Sequence, residues 1–342
     1  MIREIQEEVE RMVGPVPESS VRSYLNLNTP GIFERTARGQ YRLTEILETP
    51  PPETPFLSYR FGNAEIFLGD CFNWLRLRKE LSIHAVVTDP PYGLFEYTPE
   101  QQAKRRNGKG GVWRIPPSFD GTKRAPLPRF TTLRAADLDR LEEFFAAWAK
   151  LLLPALVPGA NVVVASNPLL SHIVSGALAR GGLERRGEIV RLVMTMRGGD
   201  RPKHAHEEFS DVSVMPRSMW EPWLLFRKPL EGRVQDNLRK WKTGGFRRIS
   251  EGKPFGDVIQ SAPTRKRERE LAPHPSLKPQ SFLRQIVRAA LPLGEGVILD
   301  TFAGSGSTLA AAEATHYESL GVEQDPLFFE VAKSAVQQLS RL

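Results

Sequence analysis

The sequence predicts an α/β fold, with a mostly parallel, twisted sheet covered by helices on both faces and a small additional domain at the N-terminus. Three observations lead to this prediction. Short apolar runs alternate with stretches of helical periodicity from residue 59 onward, a proline-rich segment separates residues 1–48 from this pattern, and a glycine-rich turn follows one of the last apolar runs. At 342 residues the chain is long enough to bury a large core and to add an accessory domain.

Residues 1–48 carry the signals of two helices and a hairpin. Apolar residues recur at helical spacing between positions 2 and 13, residues 17–27 predict a second helix, and residues 38–43 predict a small hairpin. This order resembles a winged helix-turn-helix, and a plain helical docking module is the alternative. The domain has six basic and eight acidic side chains, so only part of its surface would suit a polyanion.

A proline-rich linker is predicted over residues 49–58. Four prolines in this stretch, at positions 50, 51, 52 and 55, fix φ and remove backbone donors, so the chain cannot continue a helix or a central strand there. We therefore expect a second, larger domain over residues 59–342.

The larger domain is predicted to alternate strands and helices. Residues 231–272 break this alternation, because they are polar, basic and rich in Gly and Pro, and they predict an inserted recognition region or a mobile loop. The predicted strands are 64–68, 85–88, 161–166, 189–195, 220–226, 297–300 and 319–323, and the predicted helices are 138–152, 280–291, 307–314 and 328–339.

The charge of the chain favours a polyanionic partner. The formal net charge is +7, and residues 191–272 alone contain eighteen basic and eleven acidic side chains. A single cysteine, Cys71, excludes an internal disulfide and a cysteine-built zinc cluster, and no metal site is expected. No apolar stretch approaches the ~20 residues that span a bilayer, so we expect a soluble, cytoplasmic protein with no membrane partner.

The tetrapeptide Asp89, Pro90, Pro91 and Tyr92 follows a short apolar run and suits the activation of an aromatic amine. The lone pair of such an amine is delocalised into the ring, and the Asp89 carboxylate and the Pro90 carbonyl can each accept one of its hydrogens. The two prolines hold these acceptors rigidly. Tyr92 offers a face on which a base taken out of a duplex can stack.

The glycine-rich turn over residues 300–306 suits a cofactor that approaches the backbone closely. It follows a short strand and opens an alanine-rich helix, and no lysine follows Gly306, which argues against a phosphate-cradling loop. Glu323 ends the next strand, where a carboxylate can accept hydrogen bonds from both ribose hydroxyls. This spacing fits a nucleoside cofactor; the fingerprint of a dinucleotide site is missing.

Five short segments together resemble the beta-class amino-methyltransferases of DNA: 69–71, 89–92, 274–279, 300–306 and 321–323. The resemblance covers about residues 60–340. It implies a Rossmann-like methyltransferase fold, S-adenosyl-L-methionine as the methyl donor and a flipped base of double-stranded DNA as the acceptor. One departure is Thr301, where the family usually has proline.

The resemblance also assigns the cofactor site. It implies that Asp70 contacts the adenine of the cofactor, that Glu323 contacts its ribose, and that segment 274–279 closes over the methionine end, with Lys278 as its most informative side chain. The predicted cofactor-binding residues are Asp70, Cys71, His274, Ser276, Lys278, Asp300, Phe302, Gly304, Ser305, Gly306 and Glu323.

Contacts to DNA are predicted in the basic segments, with a target-recognition region at about 197–272. Arginine and lysine can reach phosphates or guanine edges, whereas Trp241 and Phe246 are read either as wedges or as packing residues. The predicted DNA-binding residues are Lys104, Arg105, Arg106, Arg197, Arg201, Lys203, Arg239, Lys240, Lys242, Arg247, Arg248, Arg265, Lys266 and Arg267.

The resulting hypothesis is a sequence-specific adenine-N6 methyltransferase of DNA, because an aspartate in the tetrapeptide is typical of adenine enzymes. Cytosine-N4 methylation is the alternative, and a catalytically inactive DNA-binding protein is the alternative of another class. Methylation of cytosine C5 is disfavoured because Cys71 has no preceding proline or evident base. A homodimer and a separately encoded restriction endonuclease are compatible partners.

Overall fold

The computed structural model describes two units, Met1–Pro55 and Phe56–Leu342. The residues it describes are Pro17, Val21, Leu25, 33–37, 40–43, 56–91, 135–193, 199, 201–202, 204–274 and 276–342.

The first unit contains an antiparallel hairpin, β1 (Phe33–Ala37) and β2 (Gln40–Leu43). The predicted hairpin is therefore present, and its first strand begins earlier than the sequence indicated. Val21 and Leu25 are helical and buried, as expected for the inner face of the predicted second helix. The predicted first helix lies outside the described residues, and the winged-helix interpretation stays a prediction.

The second unit is built on a nine-stranded sheet with the order β3-β4-β11-β10-β5-β6-β8-β7-β9. The five central strands from β4 to β6 are parallel, whereas β3 is antiparallel to β4 and β8 is antiparallel to both of its neighbours. The bounds are β3 (Leu57–Phe61), β4 (Ala64–Leu68), β5 (Ile83–Thr88), β6 (Leu156–Ala165), β7 (Glu184–Leu192), β8 (Trp220–Arg227), β9 (Val258–Gln260), β10 (Val297–Asp300) and β11 (Glu318–Glu323).

Helices cover both faces of this sheet, because its central strands are apolar on both sides. Val86 and Val162 pack on one face, whereas Val87 and Val163 pack on the other. The first three helices contribute to one face and the sixth and seventh to the other. The bounds are α1 (Cys71–Arg76), α2 (Ala135–Ala155), α3 (Ser171–Arg180), α4 (Val234–Trp241), α5 (Lys266–Leu271), α6 (Gln280–Ala290), α7 (Ser307–Ala314) and α8 (Pro326–Ser340).

The seven predicted strands and four predicted helices of this unit all occur; 64–68, 297–300 and 307–314 have the predicted bounds, and the others have shifted ends. Strand β6 begins five residues before the predicted start, and β3 begins at Leu57, inside the predicted linker. Six short elements were missed: β3, β9, α1, α3, α4 and α5. None of the helices in the described part of the chain has the length and apolarity that a membrane crossing requires.

Residues 231–272 were predicted to be an inserted recognition region or a mobile loop, and the mobile-loop alternative is wrong for the first part of this segment. Asn237 of α4 is fully buried, accepts from the Glu231 amide and donates to the Pro158 and Thr243 carbonyls, which fixes α4 to the start of β6. Arg247 then donates to the Tyr317 hydroxyl at 2.7 Å, beside the start of β11. Residues 231–248 are therefore packed against the amino edge of the sheet, where its parallel strands begin.

The order of strands reverses between β10 and β5. The chain passes from β10 to β11 on one side of this pair and from β5 to β6 on the other. A crevice opens at such a switch point at the carboxyl ends of parallel strands, and ligands of open α/β sheets bind there.

Candidate active site

Carboxylates follow four neighbouring strands at the carboxyl edge of the sheet. Asp70, Glu323, Asp300 and Asp89 come at or just after the ends of β4, β11, β10 and β5, which lie side by side in that order. Asp300 and Asp89 flank the switch point. Thr88 donates to the Asp300 Oδ1 at 2.6 Å, and this bond joins segments that are 212 residues apart in the chain.

Asp300 is buried and holds the start of the glycine turn. Its Oδ1 also accepts from the Phe302 amide at 3.1 Å, and the Thr308 hydroxyl of α7 is a further partner. Burial raises the pKa of the Asp300 carboxyl, and the three hydrogen bonds oppose this shift. Asp300 therefore fixes the turn through its own side chain.

The glycine turn requires its two glycines. Gly304 and Gly306 have φ values of +53° and +81°, and a Cβ on Gly306 would lie 2.5 Å from Val336 Cγ2. A Cβ on Gly304 would lie 3.1 Å from the His274 ring, so the turn and the 274–279 segment meet at this residue.

Glu323, the last residue of the neighbouring strand β11, accepts a hydrogen bond from the glycine turn. Its Oε2 accepts from the Gly304 amide at 2.7 Å, and its Oε1 accepts from the Asp325 amide at 2.8 Å. The side chain is 9% exposed, and burial raises the pKa of its carboxyl. This position is consistent with the predicted ribose contact, which stays a prediction.

Asp70 and Cys71 have structural roles at the start of α1. Asp70 caps this helix by accepting from the Asn73 amide at 3.0 Å. Cys71 is buried in the hydrophobic core, where burial and the Asp70 charge raise the pKa of its thiol to about 12. The predicted cofactor contact of Cys71 therefore has no support from its side chain.

His274 begins the segment that faces the turn. Its ring packs edge-on against Phe328, with ring centroids 4.4 Å apart, and its Nδ1 accepts from the Ser276 amide at 3.2 Å. Burial, followed by the Lys278 charge, lowers the pKa of His274 to about 4. The imidazole is therefore neutral at pH 7 and serves as a packing and hydrogen-bonding group.

Lys278 lies beside the tetrapeptide aspartate. Its Nζ forms a short ion pair with Asp89 Oδ2 and lies 3.3 Å from Glu221 Oε1. Burial alone would lower the pKa of Lys278, but the carboxylates of Asp89 and Glu221 outweigh burial and raise it. The sequence placed Lys278 with the cofactor residues, whereas the structure pairs it with the proposed catalytic group.

Glu221 and Arg191 extend this cluster and were missed at the level of sequence. Arg191 Nη1 donates to Glu221 Oε2 at 2.7 Å, and both side chains are buried on the adjacent strands β7 and β8. The sequence did contain one signal, because Glu221 is a charged residue inside the mostly apolar strand Trp220–Arg227.

Thr301 occupies the position that departs from the family pattern. Its hydroxyl accepts from the Trp148 indole at 3.1 Å, and both side chains are buried. Phe302 packs against the same indole, with ring centroids 6.2 Å apart. The threonine therefore satisfies a buried donor of α2, a bond that proline cannot make.

Some of these residues line one cleft at the switch point, whereas the predicted cofactor residues Asp70, Cys71, Gly306 and Glu323 are not among its lining residues. The cleft brings Asp89 together with seven of the predicted cofactor residues, and it adds Leu277, Leu283, Ala303, Ser307 and Thr308, which the sequence did not single out. The predicted residues that line it are His274, Ser276, Lys278, Asp300, Phe302, Gly304 and Ser305.

The cleft has the donors and acceptors that a polar organic cofactor needs. Among the residues that the structure describes, Ser305 is buried and its hydroxyl has no hydrogen-bond partner, which would be costly if no ligand completed it. Helix α7 begins at the same place, so its free amides face the turn. The described residues contain no cluster that could hold a metal ion.

Part of the predicted site lies outside the described residues: Tyr92, Lys104, Arg105, Arg106, Arg197 and Lys203. The rigid pair is in place, since Pro90 is buried and Pro91 is half-buried directly after Asp89.

The predicted DNA-binding residues divide between the two edges of the sheet. Those at the carboxyl edge are Arg201, Arg265, Lys266 and Arg267, which are exposed. Residues 265–267 lie near the cleft, because the preceding Thr264 donates to the carbonyl of the cleft residue Leu277. Those at the amino edge are Arg239, Lys240, Lys242, Arg247 and Arg248. Ion pairs engage three of this second group, with Asp236, Glu231 and Glu295.

The second group therefore does not support the predicted DNA contacts near the flipped base. Strand β5 spans about 20 Å between the two edges, so these cations face away from Asp89. Trp241 packs against the core and donates to Glu231 Oε2 at 2.6 Å, and Phe246 stacks on Phe255. Both aromatic residues pack within the protein, which favours their interpretation as packing residues.

A family model described as DNA methylase matches residues 188–334. Curated relatives match over a larger part of the chain. The Type II methyltransferase M2.DpnII of Streptococcus pneumoniae is 23% identical over 300 residues, which cover 87% of this chain and 96% of the relative. M.HindIII of Haemophilus influenzae, also a Type II methyltransferase, is 22% identical over 276 residues, 73% of this chain and 88% of the relative.

Two solved structures show the same fold. TTHA0409 of Thermus thermophilus, crystallised with S-adenosyl-L-methionine, has a TM-score of 0.50 and 20% identity and covers 80% of this chain and 93% of its own. The cytosine-N4-specific PvuII DNA methyltransferase has a TM-score of 0.52 and 13% identity and covers 83% of this chain and 93% of its own. The Rossmann-like fold expected from the sequence is confirmed.

Proposed function

We propose that the chain, which belongs with the DNA amino-methyltransferases, transfers a methyl group from S-adenosyl-L-methionine to the exocyclic N6 of an adenine flipped out of double-stranded DNA. One observation carries this proposal. Asp89 lies on the same cleft as the glycine turn at the switch point of the sheet, although the two motifs are far apart in the chain. A donor held at the turn would therefore face a base held at Asp89.

Asp89 and Pro90 are proposed to prepare the amine. The Asp89 carboxylate accepts one amine hydrogen and the Pro90 carbonyl accepts the other, which turns the nitrogen lone pair out of the ring plane and towards the methyl donor. The ion pair with Lys278 keeps Asp89 ionised and able to accept. Tyr92 is proposed to stack on the flipped base, as the sequence predicts.

The residues of the turn fit the cofactor by their chemistry. Glu323 is proposed to hold the ribose, and Asp300, Ser305 and the start of α7 to hold the polar methionine end. When bound, S-adenosyl-L-methionine supplies an electrophilic methyl group. The relative TTHA0409, which shares the fold, was crystallised with this compound.

Cytosine N4 remains the second candidate acceptor. An exocyclic amine beside a ring nitrogen occurs in both bases, and the PvuII enzyme of the same fold is cytosine-N4-specific. The aspartate at position 89 favours adenine, because cytosine-N4 enzymes of this class commonly have serine there by the resemblance drawn from the sequence.

The setting of the reaction follows from the relatives, which are Type II methyltransferases. We propose that the chain acts on the DNA of the cytoplasm at one defined sequence, beside a separately encoded restriction endonuclease, and that it is able to form a homodimer. The exposed cations at the carboxyl edge, Arg201 and residues 265–267, are proposed to contact the DNA backbone on the side of the cleft.

Replacing Asp89 by Ala tests the proposed acceptor. We expect methyl transfer to DNA to fall by more than about 100-fold, because the amine loses the group that orients its lone pair. The dissociation constant for S-adenosyl-L-methionine, measured by calorimetric titration, should change little.

The matched control is Asp236→Ala, which removes an exposed aspartate of the amino edge. It should retain wild-type transfer. If Asp89→Ala kept wild-type turnover, the assignment of the acceptor would be wrong. If the wild-type protein bound DNA and cofactor without any transfer, the rival class of an inactive DNA-binding protein would be favoured.

A further inference from the structure

Four charged side chains form a buried row that begins at the proposed catalytic group. Asp89 contacts Lys278, Lys278 contacts Glu221 and Glu221 contacts Arg191, with alternating negative and positive charges. Lys278, Glu221 and Arg191 are each no more than 10% exposed in their side chains. Their charges sum to zero, so the row is neutral as a whole.

Glu221 occupies the middle of this row and divides its two oxygens between two cations. Its Oε1 lies 3.3 Å from Lys278 Nζ, and its Oε2 accepts from Arg191 at 2.7 Å. Lys278 is thereby held between two carboxylates. Holding the Lys278 nitrogen on both sides fixes the directions of its N–H bonds. The Asp89 carboxylate accepts along one of these directions, so Lys278 determines where that carboxylate lies.

We propose that Glu221 is a positioning residue for methyl transfer: it holds Lys278, and through Lys278 it fixes the ionised Asp89 carboxylate in the orientation that accepts the amine hydrogen of the target base. The inference rests on the proposed function of Asp89 and concerns residues that the sequence did not connect with catalysis.

Arg191 ties the row to a segment of the predicted recognition region. Its Nε donates to the Ser261 hydroxyl at 3.0 Å and its Nη2 to the Ala262 carbonyl at 3.4 Å. These residues directly follow β9, the edge strand next to β7, and precede the exposed cations at 265–267. Arg191 therefore links Glu221 to the segment that leads into these cations.

A purely structural role would not require this arrangement. Buried ion pairs contribute little net stability compared with apolar side chains of similar volume. The same pair of strands also provides a comparison, because Arg227 and Glu184 form an ion pair of 2.7 Å at the other end of β7 and β8. Glu184 is 37% exposed and lies at the far end of these strands, whereas Glu221 is 10% exposed and lies 3.3 Å from Lys278.

Because of the charges around Lys278, the proposal predicts specific changes in the pH dependence of the reaction rate. The groups that face it are Asp89 after β5, Glu221 on β8, Arg191 on β7 and His274 of its own segment. Glu221→Gln leaves an excess of positive charge near Asp89, which makes the protonation of Asp89 harder. Lys278→Met leaves Asp89 facing the like charge of Glu221, which makes its protonation easier.

The experiment compares Glu221→Gln and Lys278→Met with the matched control Glu184→Gln, on DNA from a methylation-deficient strain that the wild-type protein modifies. We expect Glu221→Gln to lower kcat by about 10- to 100-fold, with an unchanged dissociation constant for S-adenosyl-L-methionine.

The acid limb of the pH–rate profile of Glu221→Gln should move to lower pH, and that of Lys278→Met should move to higher pH. Lys278→Arg, which keeps the charge, should recover part of kcat, and Glu184→Gln should resemble the wild type.

Two results would overturn the inference. The first is a Glu221→Gln protein with the kcat and pH profile of Glu184→Gln, while Asp89→Ala is inactive; in this case the proposed function stands and only the role of Glu221 fails. The second is a shift of both acid limbs in the same direction. If Glu221→Gln does not fold, the charge-balanced double variant Arg191→Met with Glu221→Gln replaces it, and wild-type kcat in that variant contradicts the proposal equally.

Discussion

Individual carboxylates at the carboxyl edge of the sheet are held in surroundings that disfavour their charge. Burial raises the pKa values of Asp300 and Glu323, and neither side chain forms an ion pair within the described residues. Their compensation comes from backbone amides and hydroxyls of the turn and of α7. Perturbed groups concentrated at one edge of a sheet are typical of functional sites, because binding a ligand offsets the cost of burying them.

The structure gives a physical reason for Thr301, which stands where the family usually has proline. At the level of sequence it was only a threonine in place of the usual proline. The structure places the indole of Trp148 against its hydroxyl, at the base of the turn. This contact joins residues 153 positions apart, so no local pattern in the sequence contained it.

His274 provides a test of the closing segment by pH. Its pKa in the folded protein is about 4, whereas an unfolded histidine titrates near 6.5. The folded state therefore favours the neutral ring, and its contribution to stability is fully present above pH 6.5 and is lost as the pH falls from about 6.5 to about 4. We expect this loss to approach roughly 3 kcal/mol at most.

The measurement is urea unfolding of the wild type and of His274→Asn across this pH range. The difference in the free energy of unfolding between the two proteins should decrease steadily as the pH falls. The comparison removes the opposing contributions of Asp300 and Glu323, whose raised pKa values are common to both proteins. A difference that does not change with pH would show that His274 is not buried as a neutral ring.

Helices and strands of the central sheet were predictable because their periodicity is strong. Strands β5 and β10 are continuous apolar runs, as expected of strands buried on both faces. The missed β9 has only three residues, and its Val258 is 56% exposed, so no alternation could reveal it. Edge strands of this length depend on pairing with a neighbour, which the local sequence does not specify.

The basic stretch around α4 illustrates a second limit. Its composition resembles that of residues 265–269, and both were assigned to DNA contacts. The structure separates them, because Asn237 and Arg247 anchor the first stretch to the amino edge, whereas Thr264 donates to the Leu277 carbonyl beside the cleft. Charge density alone does not indicate the edge of a sheet on which a segment lies.

Two triple variants test this division. Replacing Arg265, Lys266 and Arg267 by Ala should weaken DNA binding and reduce the slope of log K against log salt concentration by about 2 to 3, because up to three phosphate contacts are lost. Replacing Arg239, Lys240 and Lys242 by Ala removes the same number of positive charges and serves as the matched control. We expect its slope to stay at the wild-type value.

Equal losses of slope in both variants would contradict the assignment of the DNA-facing side to the carboxyl edge. Circular dichroism and melting temperatures of both variants should accompany the binding curves, because Arg239, Lys240 and Lys242 form ion pairs in the folded protein.

At the scale of the whole molecule, the order of strands brings the two motifs together. The sequence predicted both the tetrapeptide and the glycine turn, but it did not contain the pairing of β5 with β10. The resemblance to a family supplied the Rossmann-like fold class, which is confirmed, and the structure adds this pairing. The buried row from Asp89 to Arg191 was not predictable in this way, because its four members come from four separate segments.

The proposed reaction and the role of the N-terminal hairpin concern different units of the chain. All described residues of the cleft belong to the unit Phe56–Leu342, so the chemistry is proposed to reside there. The unit Met1–Pro55 contains the hairpin and the buried pair Val21 and Leu25. Its predicted winged-helix role in DNA binding is independent of the proposed reaction.

The most direct test of the central claim identifies the methylated base. The protein is incubated with isotopically labelled S-adenosyl-L-methionine and unmethylated genomic DNA, the DNA is digested to nucleosides, and the labelled product is identified by its mass and retention. We predict N6-methyladenine from the wild type and no label from Asp89→Ala. N4-methylcytosine would contradict the choice of base and keep the chemistry of the site, whereas no labelled nucleoside, despite measurable cofactor binding, would contradict DNA amino-methylation itself.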